Sequence, residues 1–168
     1  PLTLERYHIG GSRKGRNPFF GKNMSHNFDI YAASNISKDS AGRINGYRPI
    51  VHLGTSASGV FTQSTGLSTI NDYNDDARAG DLTWSGTSSW TGGNYVYTDK
   101  TGAVYTFSRT VWAHDVLWHS QRIARIDFPE GRVQTFSYNG SDQLKLVEDS
   151  SGYAIVFDYN AAGDVSAA

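Results

Sequence analysis

Near its C-terminal end the chain alternates apolar and polar residues with a period of two. In GYAIVFDYNAAGDV, residues 152–165, the side chains of Tyr153, Ile155, Phe157 and Tyr159 fall on one side of an extended backbone, followed by a polar turn and another glycine. That alternation fits a half-buried strand rather than a helix. Moving back 21 positions from Gly152 lands on Gly131 in EGRVQTFSYNGSDQL. The two stretches then agree residue by residue: Phe136 with Phe157, Tyr138 with Tyr159, Asn139 with Asn160. The same shift pairs Ile123 with Leu144 and Ile126 with Val147 upstream, and Leu144 with Val165 downstream.

A weaker copy lies in TDKTGAVYTFSR, where Gly102 is followed by Phe107 at the matching place but Arg109 stands where the others have tyrosine. Gly102 and Gly131 are 29 positions apart, one unit of 21 plus an insertion of 8 within TVWAHDVLWHSQ, which reads equally as a helical turn or a bulged strand. A short fixed period marks stacked supersecondary units, each too small to bury its own apolar face. The unit expected here is a β-hairpin. Its turns fall at Asp99 to Gly102, Pro129 to Gly131 and Asp149 to Gly152, where glycine supplies positive φ and Asp or Pro favours turn geometry. Phe107, Phe136 and Phe157 then share one face as a ladder, and Val104, Thr106, Val133, Thr135, Ala154 and Val156 form a smaller, wetter opposite face.

Composition agrees with this pattern. With 168 residues, 18 glycines, 10 tyrosines and 38% hydrophobic residues, the chain reads as one all-β fold of strands and tight turns. A net charge of -1 leaves no electrostatic footprint for nucleic acid, and the short basic cluster Arg13, Lys14, Arg16 reads as a solvated loop. The chain has no cysteine, which removes disulfides, thiolate nucleophiles and cysteine zinc sites. No apolar run approaches the ~20 residues of a membrane-spanning helix, so membrane insertion is not expected. Starting at Pro1, the sequence reads as a piece of a longer protein.

The units with FSYNGSDQL and FDYNAAGDV resemble the RHS/YD-repeat family, with Asn139 and Asn160 in place of the aspartate of the Tyr-Asp pair. LERYHIGG and FFGKNMSHNFDIYA resemble the segment that opens the repeat region in bacterial members, with Met24 in a tryptophan slot and Ser25, His26, Asn27 and Phe28 following. The resemblance covers residues 1–31 and 95–168, and 32–94 by position only. It divides the chain into an opening region, 1–94, and hairpin repeats, 95–168, continuous in one fold. It implies a curved sheet of successive antiparallel hairpins, part of a larger hollow β-shell. In bacterial relatives the shell encloses a toxic C-terminal domain before delivery, and in animal relatives a similar barrel belongs to a cell-surface receptor. The function expected from it is non-enzymatic, that of a structural segment at the cell surface or secreted. Its partners would be the remaining repeats and the C-terminal domain of the parent protein, and it would use no cofactor. The last hairpin, lacking a neighbour, is expected to leave an exposed edge and a half-covered Phe157, open to self-association.

Candidate chemistry is sparse. His114 and His119 in HDVLWH are five apart with Asp115 beside the first, whereas a zinc-protease helix needs a spacing of four and a glutamate, so packing is the plainer reading. His26 reads as a buried hydrogen-bonding histidine. Asp72, Asn74 and Asp76 occupy the first three oxygen positions of a calcium loop, but Ala77 and Thr83 stand where glycine and glutamate belong, with Asp81 the one spare ligand, so a polar turn is favoured. No serine lies in a nucleophile elbow. Trp84, Trp90, Tyr95 and Tyr97 among Ser, Thr and Gly offer an alternative, an aromatic platform for carbohydrate or a protein partner, although buried aromatics of the sheet explain the same residues.

Overall fold

In the computed structural model, residues 2–8, 24–54, 58–62, 71–72, 80–85, 93–112 and 119–168 are described. They form fifteen strands and no helix, so the all-β expectation holds for the described residues. The paired strands β1 (Arg6–His8) and β2 (Met24–His26) stand apart from the main sheet. That sheet has eleven strands. One wing runs through β3 (Ile30–Lys38), β4 (Ile44–Leu53), β5 (Ser58–Thr62) and β6 (Asn71–Asp72). A second carries β7 (Asp81–Trp84), β8 (Tyr95–Thr98) and β9 (Val104–Trp112), and a third β11 (Val133–Tyr138), β12 (Leu144–Asp149) and β13 (Ala154–Val156). All three meet at β10 (His119–Asp127), and every pairing is antiparallel. A last pair, β14 (Asp158–Tyr159) with β15 (Val165–Ala167), follows Phe157.

The three wings meet because β10 shares one of its edges. Along that edge His119–Arg122 pair with Ser34–Tyr31 of β3, and Arg125–Asp127 pair with Thr135–Val133 of β11. Its other edge is taken by β9, in a register broken by bulges around Gln121 and Ile123. The insertion therefore lengthens a bulged hairpin through Trp112 and from His119 onwards. Its tip, with His114, Asp115 and Trp118, lies outside the described residues. Gln121, 1% exposed, reaches past β9 to the start of β8: its amide accepts from the Tyr95 N–H at 2.9 Å and donates to the Gly93 carbonyl at 2.7 Å.

Period-two burial sets the core. Phe107, Phe136 and Phe157 are all buried with Ile123, Ile126, Leu144 and Val147, while Val104, Thr106, Val133 and Thr135 are half-buried and Ala154 and Val156 exposed. Ile123 stands opposite Phe107 in strand register and Val147 opposite Phe136. Phe28, Ile30, Ala32 and Val51 of the opening region join the same cluster, as do Leu82, Trp84, Tyr95 and Tyr97. The β7–β8 pairing spans position 94, so the opening region and the repeats meet within one hairpin.

One expectation is corrected. Phe157 is completely buried, not half-covered, because the His26 ring lies 5.8 Å from it and covers the face that the last hairpin was expected to leave open. Among the described residues the expected edge is present: β13 ends its row of the sheet, bonded to β12 on one side, with Tyr153 and Val156 exposed.

Candidate functional site

The repeat itself is the most ordered chemical pattern in the chain, and it begins with the turns. Six loops share one hydrogen-bond scheme. The carbonyl of the first residue accepts from the N–H of the fourth, and the N–H of the first donates to the carbonyl of the fifth; the first residues are Asp39, Asp99, Phe128, Asn139, Asp149 and Asn160. The fourth residue is left-handed each time: Gly42, Gly102, Gly131, Gly152 and Gly163, with Asp142 at φ 60° in the remaining loop. This is the three-residue hairpin loop closed by a left-handed residue, the position where glycine costs least.

The Asp or Asn at the first position has its own task. The Oδ1 of Asp39, Asp99, Asn139 and Asn160 accepts from the N–H groups two and four residues on, at 2.8–3.0 Å. A carboxylate and an amide oxygen serve this purpose alike, which is why Asn139 and Asn160 replace aspartate without changing the loop.

Adjacent turns are tied together. The Asp149 side chain, 2% exposed, accepts from Ser151, from Gln134 Nε2 at 3.1 Å and from Arg132 at 3.0 Å, and the Ser150 N–H donates to the Val133 carbonyl at 2.8 Å. Ser151 above all, then Gln134 and Arg132, hold the Asp149 carboxyl well below the usual carboxylate range. Arg132 also lies over the Phe128 ring at 3.7 Å. At the opposite end of the strands, Gln143 donates to the Gly163 carbonyl at 3.1 Å.

The two matching units each close with a tyrosine. Tyr138 donates its hydroxyl to the Ile123 carbonyl at 2.8 Å and Tyr159 to the Leu144 carbonyl at 2.6 Å. Burial raises the Tyr159 phenol to about 12, so it remains a donor. The backbone pairing repeats with the same offset. Tyr138 faces Leu144 and Ser137 faces Leu146 with a bulge between; Tyr159 faces Val165 and Asp158 faces Ala167 with a bulge at the same place.

Over this lattice lies the opening segment. Phe28 meets Phe136 edge-on at 6.1 Å, and His26 meets Phe157 at 5.8 Å. Asn27 fastens the segment to the chain start, its Oδ1 accepting from the Glu5 N–H at 3.0 Å and its Nδ2 donating to the Thr3 carbonyl at 2.8 Å. Beside it is an open hollow of about 340 Å³, lined by Leu2, Asn27, Phe28, Leu53, Tyr105 and Gln134 among others.

The sequence candidates fall as follows. Gly102, Gly131 and Gly152 close turns, Phe107, Phe136 and Phe157 are core, Tyr138 and Tyr159 cap carbonyls, and Asn139 and Asn160 cap loops. Trp84, Tyr95 and Tyr97 do not build an exposed platform. They are 6%, 0% and 3% exposed, because the alternation along β7 and β8 turns all three inward, Trp84 against Tyr95 and Tyr97 against Tyr105. Trp90, Asn74 and Asp76 lie outside the described residues, as does the Asp72 side chain. Among the described residues no three His, Cys, Asp or Glu side chains gather as a metal site, and no helix is long and apolar enough to cross a membrane. Sequence reasoning missed Gln121, Gln134 and Asp149 as buried polar organisers, and the Asp39 to Gly42 loop, whose Asp-x-x-Gly spacing was a readable signal. No family model, curated protein or solved structure matches this chain.

Proposed function

We propose that this chain is a non-enzymatic structural segment of an RHS/YD-repeat shell, secreted or at a bacterial cell surface, which encloses or presents a C-terminal toxin or effector domain. The observation that carries the reading is the recurrence of one bond at the 21-residue period found in the sequence: Tyr138 to Ile123, then Tyr159 to Leu144. A unit that repeats its hydrogen bonds and its strand register as well as its residues is built for extension. Its partners on this reading are further repeats and the downstream domain, with self-association through the β13 edge as a secondary contact.

Limited proteolysis of the full-length gene product tests the reading. A domain downstream of the repeats should survive digestion in the native protein and become cleavable when Phe136 and Phe157 are both replaced by aspartate. A full-length product with no downstream domain, or one whose downstream domain is equally resistant in both proteins, overturns it.

A further inference from the structure

The opening segment holds the repeats through residues two apart in sequence. His26 covers Phe157 and Phe28 covers Phe136, and those two phenylalanines are the same position of successive units. Both contacts depend on one turn. The His26 carbonyl accepts from the Asp29 N–H at 3.0 Å, and His26 Nδ1 accepts from the Phe28 N–H at 3.2 Å. A ring nitrogen that accepts carries no proton, so the hydrogen of this neutral imidazole is on Nε2. A second proton on Nδ1 would remove the acceptor, set two N–H groups against each other, and place a cation beside Phe157 on a residue that is 2% exposed.

The charged groups around the ring do not rescue it. Asp29 favours the imidazolium, but it also faces Arg122 at 4.0 Å, and Arg122 opposes the imidazolium. On β1 the register partner of His26 is Arg6, which is exposed. From the last unit comes the apolar ring of Phe157, whose charged neighbours Asp158 and Lys145 pair with each other at 3.1 Å. Burial, offset only in part by Asp29, lowers the His26 pKa to about 4, and Arg122 adds a smaller push in the same direction.

We infer that His26 is an acid-operated latch: protonation at Nδ1 opens the 26–29 turn and frees the opening segment from Phe136 and Phe157 together, baring the apolar face of two units while the hairpins stay folded. The device belongs to this chain itself and does not depend on the shell reading.

Hydrogen exchange of the 168-residue chain, corrected for intrinsic rates, tests it. Between pH 7 and pH 5 the Asn27, Phe28 and Asp29 amides should lose protection by roughly twentyfold, while those of Ser137 to Val147 keep theirs. His26→Phe retains a ring against Phe157 and cannot titrate, so its 27–29 amides should show no acid response. If that variant fails to fold, an NMR titration of the natural chain decides: the His26 ring and the 27–29 amides should share one midpoint. Loss of protection everywhere at once, an acid response that persists in His26→Phe, or separate midpoints would overturn the latch.

Discussion

The hydroxyl of Tyr159 donates to the carbonyl of Leu144, and this bond stands where the second strand of the unit leaves its neighbour. Beyond Val156 the chain gives β12 one more backbone bond, from the Phe157 N–H to the Lys145 carbonyl, and the phenol then takes the next carbonyl. At Ile123 the same bond falls between the stretch of β10 paired to β3 and the stretch paired to β11. The tyrosine therefore closes a ladder that its own backbone has stopped serving.

Replacing Tyr138 or Tyr159 by phenylalanine should cost about 1–2 kcal/mol each, since a half-buried carbonyl loses its partner while the ring contacts remain. Urea denaturation gives the number. The two changes should agree within about 0.5 kcal/mol, and an unchanged midpoint for either would show that its hydroxyl does not cap the carbonyl in solution.

Phe107→Ala, Phe136→Ala and Phe157→Ala should each destabilise by about 3–5 kcal/mol, the usual cost of emptying a buried phenylalanine site. Tyr153→Ala, at a residue 58% exposed, should stay within about 0.5 kcal/mol. Thermal melts of the four variants rank them. A Phe157 variant as mild as the Tyr153 one would mean that the opening segment does not cover that ring.

The glycines separate strain from collision. At Gly152, φ is +90° and an added Cβ meets nothing within 4 Å, so Gly152→Ala should cost only the left-handed penalty of about 1–2 kcal/mol. At Gly54, φ is +79° and the added Cβ would lie 2.3 Å from the Asn27 carbonyl oxygen, so Gly54→Ala should cost more and push the opening segment off its seat. Denaturation midpoints compare the two, and equal losses would disprove the close approach of Gly54 to Asn27.

Acidification should act in two windows. His26 titrates lower folded than unfolded, so the unfolded chain binds the extra proton first and stability falls as pH drops from about 6.5 to about 4, by roughly 3 kcal/mol. Asp149 is also lowered on folding, so its contribution is intact above the ordinary carboxylate range and is lost as pH falls through and below it. Urea titrations across pH should show His26→Phe flattening the upper window and Asp149→Asn the lower one. Interchanged effects would refute both assignments.

Much of the repeat was legible because it rests on local rules. Alternation placed Phe107, Phe136 and Phe157 inside, and the glycine spacing placed the turns at Gly102, Gly131 and Gly152. The role of the tyrosines was not legible, since the Tyr159 hydroxyl finds its acceptor two strands away at a carbonyl that becomes available only when backbones diverge. Trp84, Tyr95 and Tyr97 left a second reading open for a related reason. Their Ser-, Thr- and Gly-rich surroundings looked wet, but period-two geometry sends side chains to one face whatever their neighbours are. The seat of His26 and Phe28 depends on packing between distant parts of the chain, which no local pattern encodes.

The shared edge of β10 also orders events in time. β3, residues 30–38, is made some eighty residues before the strand it joins across the sheet, residues 119–127. Until β10 has left the ribosome, β3 has β4 on one side and lacks its native partner on the other, while each later hairpin finds its partner within a few residues. Nascent chains in that interval would carry a long open strand that includes Ile30 and Ala32, and this interval is when a chaperone or a neighbouring nascent chain could capture it. Refolding from denaturant should accordingly be biphasic, with the local hairpins forming quickly and the distant β3–β10 closure setting the slow rate.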